Sequence, residues 1–372
     1  MNDTRADTGA PNGLVSLRVA VEKALDVAAK RGERVFVVGG IVRDLLMRRA
    51  VGDHDLDLVV EGEGTAFARD LCTAIGGTLK VHAPFLTAKL SAPFSSCEGH
   101  APFLDEVDVA TARSESYERP GALPSVSPAS IERDLWRRDF SVNAMALPLP
   151  VYVRQLSHSE LEPTVLEQLV DPCGGYTALA SRTVRILHPA SFTDDPTRLF
   201  RAVRYCVRLS FSFDNETQAA FRTAVDEGAL ATISPRRVWN EVVSCFDEAV
   251  PRETIAAFVE RGLFSHFRVI AAEALPRLAE AIDRLMVFRS YVESDFFAEA
   301  GKLLVVAAAS TTDRAEIVKA TQEKKTLLAR AEGVAEGRVE YAELSQLLAA
   351  FGLHGTAELR EALGDALGVS VS

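Results

Sequence analysis

The chain has 372 residues, of which 48% are hydrophobic and 25% charged, enough for two or three globular domains with real cores. No apolar run approaches the ~20 residues that a membrane helix needs, and the five cysteines (Cys72, Cys97, Cys173, Cys206, Cys245) form no Cys-x-x-Cys pair. Their scatter argues against a zinc ribbon or a disulfide framework and fits a reducing cytoplasm. The net charge of −11 speaks against a nucleic-acid partner only weakly, because local clustering is what binds phosphate. Arginine is unevenly spread: Arg182, Arg185, Arg198, Arg201, Arg204 and Arg208 fall within one stretch of thirty residues.

The opening MNDTRADTGAPNG is polar and small and reads as a frayed tail rather than a signal peptide. With the leading helix it occupies residues 1–32. RVFVVGGIVRDLLMRR predicts an apolar strand, a turn at Gly39-Gly40 and a helix opening at Ile41. VGDHDLDLVV (Val51 to Val60) predicts a strand, TAFARDLCTAIGG a helix ending at Gly76-Gly77, and FLTAKLSA and EVDVATAR two further strands around a loop from Pro93 to Pro102. YERPGALPSVSPAS is read as irregular, since Pro120, Pro124 and Pro128 block regular structure. From about Ser181 the pattern turns helical almost to the end. An α/β head over 33–150, a helical neck over 151–250 and a helical body over 251–372 is the expected organisation, an α+β fold.

In VGDHDLDLVV the carboxylates of Asp53, Asp55 and Asp57 share one face of a strand, where like charges repel and a cation is expected between them. A lone Asp-x-Asp is more often a solvated surface feature. Here it follows a Gly-Gly turn between strand and helix, which lets a phosphate approach the backbone. Mg²⁺ takes oxygen ligands and shares them with substrate phosphates, and two such ions need a third carboxylate nearby. Asp108, with Glu106 on the same face of EVDVATAR, is the candidate. A solvated strand-edge residue is the alternative for Asp108.

VVGGIVRDLL…DHDLDLVVEG, DVATARSESYERPGALPSV, LWRRDFSVNAMAL, SFTDDPTRLFRAVRY and SPRRVWNE follow one another in this chain. Their order resembles that of the class II tRNA nucleotidyltransferases and bacterial poly(A) polymerases, over roughly residues 33–245. The resemblance implies a DNA-polymerase-β-like nucleotidyltransferase head, with Asp55 and Asp57 as metal ligands and Asp108 as the third catalytic acid. It implies two Mg²⁺ ions, CTP or ATP as donor and a tRNA 3′ end as acceptor. It also implies that Gly39, Gly40 and Arg43 hold the triphosphate. Arg138, Asp139 and Asn143 would then recognise ribose and phosphates, against an alternative in which Asp139 caps a helix and Asn143 sits in a buried network.

Asp195 and Arg198 lie one helical turn apart, and an in-turn salt bridge is one reading of them. The resemblance implies the other: a protein template that presents a Watson–Crick edge to the incoming base. Asp194 stands where the family has glutamate. On the helix that follows, Arg198, Arg201, Arg204 and Arg208 fall on one face without a glutamate among them, which predicts a surface for nucleotide phosphates or RNA. Arg133 and Arg137 are expected to add to RNA binding. In SPRRVWNE, Ser234 reads as an N-cap and Arg237 with Glu241 as an i,i+4 pair. Candidate products are CCA, CC, a terminal A or poly(A). The undeleted segment between Arg113 and Arg137 favours A or CCA addition, because CC-adding relatives tend to shorten it.

Overall fold

The computed structural model describes residues 12–49, 56–91, 106–122, 124–264 and 275–286, with short pieces at 301–302, 304–306, 317–319, 338–339 and 370–371. The expected frayed tail, Asp53, Asp55, the 93–102 loop and most of the expected helical body after residue 286 lie outside the described residues. The chain divides into two compact units, residues 1–119 with 123–189, and residues 120–122 with 190–372.

The first unit opens with helix α1 (Asn12–Arg31), strand β1 (Arg34–Val38), α2 (Gly40–Leu46), β2 (Leu56–Glu61) and α3 (Gly64–Ile75). It continues with β3 (Thr78–His82), β4 (Thr87–Ser91), β5 (Glu106–Thr111), β6 (Arg113–Ser116), β7 (Ser125–Pro128), α4 (Ile131–Trp136), β8 (Ala146–Pro148) and α5 (Leu149–Gln155). Among the described residues, β3-β4-β5-β2-β1-β8 form one six-stranded sheet. Only the β2–β5 pairing in it is parallel; the others are antiparallel.

Alternation along the strands sorts the side chains into two layers. Val35, Val37, Leu58, Val60, Val107 and Val109 pack on one side against the apolar stripe of α1 (Leu17, Ala20, Val21, Ala24, Val27, Ala28) and against Phe67 and Leu71 of α3. Phe36, Val38, Val59 and Ala112 face the other side, where Ile131 and Leu135 of α4 cover them. Asp57 and Asp108 have the parity of this second layer.

Two expectations change here. The turn-rich stretch is partly regular: β7 pairs antiparallel with β6, Ser114 opposite Ser127, because Pro128 sits at the strand end where its missing N–H is not needed. Residues 151–189, expected in the neck, belong to the first unit. Backbone bridges Ala146–Val170 and Phe140–Ile186 tie them there, with α6 (Pro163–Glu167) and α7 (Gly175–Ala180) between them.

The second unit is helical: α8 (Ser191–Asp194), α9 (Thr197–Leu209), α10 (Asn215–Asp226), α11 (Pro235–Val243), α12 (Pro251–Glu260) and α13 (Leu275–Met286). Ser234 caps α11 as expected, its hydroxyl accepting from the Arg237 N–H. Phe200 of α9 meets Phe258 of α12 edge to face at 4.9 Å between centroids, a contact that fixes the two helices side by side. No described helix is long and apolar enough to cross a membrane.

Candidate active site

The Gly-Gly turn closes β1 and opens α2. Gly39 has φ +76° and ψ −138°, a conformation that side chains other than glycine avoid. A Cβ there would stand 3.3 Å from Asp57 Oδ2 and 3.4 Å from Arg138 Nη1. One small space is therefore bordered by backbone, a carboxylate and a guanidinium, three of the expected site groups. Gly40, the next residue, has Arg43 Nη2 against it at 3.4 Å from its missing Cβ.

Asp57 and Asp108 are direct partners across the parallel β2–β5 pair, so their carboxylates leave the same face of the sheet side by side. The next strand continues the row with Lys89, paired opposite Asp108. Its ammonium lies 3.7 Å from Asp108 Oδ2 and also bonds Glu106. Among the described residues, which do not include Asp55, no group of three histidine, cysteine or acidic side chains is close enough to hold a metal. Two hard carboxylates aligned beside a space that a Cβ would fill nonetheless suit a small divalent cation shared with phosphate oxygens.

Arg43 departs from expectation. Its side chain is buried, with Nε and Nη2 on the Asp44 carboxylate at 2.9 and 2.8 Å and Nη1 on Asn143 Oδ1 at 2.8 Å. A fork so engaged ties α2 to the Asn143 segment and organises the wall beside Gly40. Asn143 passes the chain on, donating to Asp139 Oδ1 at 3.2 Å, which also accepts the Phe140 N–H at 2.8 Å. Both Asp139 and Asn143 are buried, so the buried-network alternative describes these bonds. The segment is clasped from behind: Ser141 N–H donates to the Arg185 carbonyl, and Asp171 accepts the Gly175 and Tyr176 N–H groups. A Cβ on Gly175 would overlap the Ser141 carbonyl oxygen.

Of the basic residues near α4, only Arg133 points outward, exposed on the helix. Arg137, expected to face RNA, turns inward into an internal ion pair, its Nε on Asp134 Oδ1 and its Nη1 on Glu115. Burial works against the charge of both partners. For Asp134, Arg138 and Arg137 outweigh it and hold the carboxyl below its ordinary value; for Arg137, Asp134 and Glu115 outweigh it and raise the guanidinium. Arg138 shares the same buried carboxylate through Nε and Nη2 at 3.3 and 3.2 Å.

In the second unit, Asp195 and Arg198 have separate partners. Asp195 Oδ1 accepts from Thr197 N–H, Thr197 O–H and Arg237 Nη2 at 3.1, 2.7 and 2.7 Å. Arg198 is buried and donates to Ser191 Oγ at 2.8 Å. The bonds on Asp195 all fall on one oxygen. Arg237 is thereby drawn away from the expected pairing with Glu241, and it also donates to the Gly121 carbonyl.

The arginine face of α9 is likewise reassigned. Buried Arg204 meets Glu241 at 3.2 Å and Glu248 at 3.7 Å, and Arg208 takes Glu248 with Nε at 2.6 Å. Carboxylates absent from α9 arrive from α11 and the turn after it, and pair with these two arginines. Arg201, half-buried, lies over the Tyr205 ring at 5.7 Å. Asp134 and Lys89 in the first unit had no expected role, and Arg237 in the second was expected only to pair with Glu241. Only for Lys89 was a signal present, its place on the strand beside the carboxylates.

Residues 35–185 match the family model described as "Poly A polymerase head domain", and residues 210–274 match "Probable RNA and SrmB- binding site of polymerase A". An A-adding tRNA nucleotidyltransferase of Halalkalibacterium halodurans is 40% identical over 233 residues, 62% of this chain and 49% of that protein. One of Geobacter sulfurreducens is 36% identical over 253 residues, 68% of this chain and 26% of that protein. The chain thus spans about half the length of the first relative and about a quarter of the second. A solved CCA-adding enzyme in an apo form superposes with a TM-score of 0.65 and 28% identity, covering 97% of this chain and 80% of that one. By its head, the region after it and its fold, the chain belongs to the family of class II tRNA nucleotidyltransferases and bacterial poly(A) polymerases.

Proposed function

We propose that the chain adds AMP, or CMP and then AMP, from ATP and CTP to the 3′ end of tRNA. The observation that carries this reading is the cross-strand alignment of Asp57 with Asp108 beside the Gly39 space. Asp55, Asp57 and Asp108 would hold Mg²⁺, which when bound supplies charge neutralisation at the attacking and leaving oxygens of an in-line displacement. The chain's own residues position the reactants. Gly39 and Gly40 let the triphosphate lie against the backbone, Arg138 Nη1 meets its charge, and Asp139 takes the ribose hydroxyls. Catalysis on this reading is orientation and electrostatics, with no covalent enzyme intermediate.

Asp195 and Arg198 select the base. With Oδ1 held by Arg237 and Thr197, Oδ2 accepts the exocyclic amine of A or C, and the Arg198 guanidinium donates to the neighbouring ring acceptor. G and U turn a carbonyl toward the carboxylate and are rejected. Terminal AMP addition is favoured among the products, since the two relatives above are named A-adding and the hairpin between Arg113 and Arg137 is complete. Full CCA addition is the second reading, favoured by the likeness to a CCA-adding enzyme fold. Incubating the protein with tRNAs ending before A, CA or CCA, with each nucleotide alone, and sequencing the 3′ ends separates them. Incorporation of AMP only on the tRNA ending in CC supports the first; no incorporation with any primer overturns both.

A further inference from the structure

Asp134 is completely buried, and it carries no expected role in nucleotide addition. Its two oxygens serve four N–H donors of three residues. Oδ1 takes Arg137 Nε at 2.9 Å and the backbone N–H of Arg113 at 3.2 Å, just past the end of β5. Oδ2 takes the Nε and Nη2 edge of Arg138 at 3.3 and 3.2 Å. The free choice left to the Arg138 fork is then its opposite corner, and Nη1 points to the Gly39 space, which Asp57 Oδ2 borders from the other side. A guanidinium is planar and rigid, so fixing one edge fixes the aim of the other. Arg137 is anchored a second time by Glu115 at 2.8 Å, which keeps Asp134 from swinging with its own helix turn.

We propose that Asp134 is a positioning residue that aims Arg138 at the nucleotide triphosphate, a role resting on the nucleotide site described above. The carboxylate supplies direction as well as neutralisation. An unanchored arginine of four rotatable bonds samples many poses, and holding it in advance removes that loss from binding.

The test is a double-mutant cycle on ATP and CTP affinity, measured with the full chain in Mg²⁺ without RNA, with melting temperature recorded for every variant. Arg138→Met should weaken nucleotide binding about tenfold or more, as loss of a charge-assisted contact does. Asp134→Asn should weaken it by about tenfold, and in the Arg138→Met background should add less than about threefold, because the two act through one contact. Losses that multiply, or unchanged affinity in folded Asp134→Asn, overturn the proposal. If Arg138→Met itself binds as wild type does, the nucleotide-site reading fails instead, and the proposal with it. Should Asp134→Asn not fold, Arg138→Lys decides: one ammonium cannot serve Asp134 and the triphosphate together, so its affinity should fall as far as that of Arg138→Met. Wild-type affinity in Arg138→Lys sinks the shared-fork geometry.

Discussion

At Gly39 the backbone and the chemistry make the same demand. The residue needs positive φ, and the Cβ it lacks would sit between Asp57 and Arg138. Gly39→Ala should leave a folded protein, since a conformation of this kind costs about 1–3 kcal/mol. Nucleotide binding should be lost, because the methyl occupies the space bordered by carboxylate and guanidinium. Equilibrium binding of ATP with a melting curve checks both halves. Asp195 shows how a single carboxylate can be divided: one oxygen is committed to Thr197 and Arg237, and the other stands outside those bonds. Asp195→Ala should lower use of ATP and CTP while relaxing rejection of GTP and UTP, because it removes repulsion along with attraction. Arg237→Met should move selectivity in the same direction, more weakly. A loss of stability in both, with nucleotide preference intact, would favour a purely structural pair. The i,i+4 spacing of Arg237 and Glu241 pointed along one helix, and spacing cannot reveal a stronger acceptor on a different element.

Element by element, α9 separates what periodicity reports from what it omits. The helix and its arginine face were legible, because 100° per residue is a property of the chain itself. The counter-charges were not, since Glu241 and Glu248 come from later in the chain. Arg204→Ala should therefore act on stability, by about 1–3 kcal/mol, as it takes a charged donor from Glu241 and Glu248 while Arg208 still holds Glu248. Chemical denaturation measures this, and RNA affinity of the folded fraction should stay near wild type. Helix α4 holds the other such device. Burial alone would raise the Asp134 pKa, but Arg138 and Arg137 hold it below the ordinary 3.8. A carboxyl depressed in the folded state adds stability above its unfolded pKa and loses it as pH falls through the folded value. Wild type should therefore lose stability below about pH 4, and Asp134→Asn should lose less over that window, as acid titrations of melting temperature will show.

Across the whole molecule, the order of motifs identified the head and its sheet, while the extent of the first unit was set by backbone bridges at Val170 and Ile186 that no local pattern announces. The β6–β7 hairpin was hidden for a related reason. Three prolines read as breakers, although one at a strand end costs the ladder nothing. The alignment of Asp57 with Asp108 was legible from parity along strands, and which way a guanidinium turns, as at Arg43 and Arg137, was not. That turning also redistributes the basic surface of an acidic protein. With Arg137, Arg204 and Arg208 paired internally, the proposed function would leave tRNA phosphates to exposed side chains such as Arg133. Affinity for tRNA should fall steeply between roughly 50 and 300 mM salt. Arg133→Ala should reduce the slope of log affinity against log salt by about one, and Arg204→Ala should leave it unchanged.

The one parallel pairing in the sheet has a further consequence. Asp57 and Asp108 are matched by hydrogen-bond register, not by nearness along the chain, so the intervening helix and strands form a detour whose length is free. Residues could be inserted or removed in the turns around β3 and β4, and the two carboxylates would still meet. A slip of one residue in the ladder itself would instead send Asp108 through to the greasy side of the sheet. Engineering and drift alike can rewrite the size of that excursion, provided the pairing of β2 with β5 is kept.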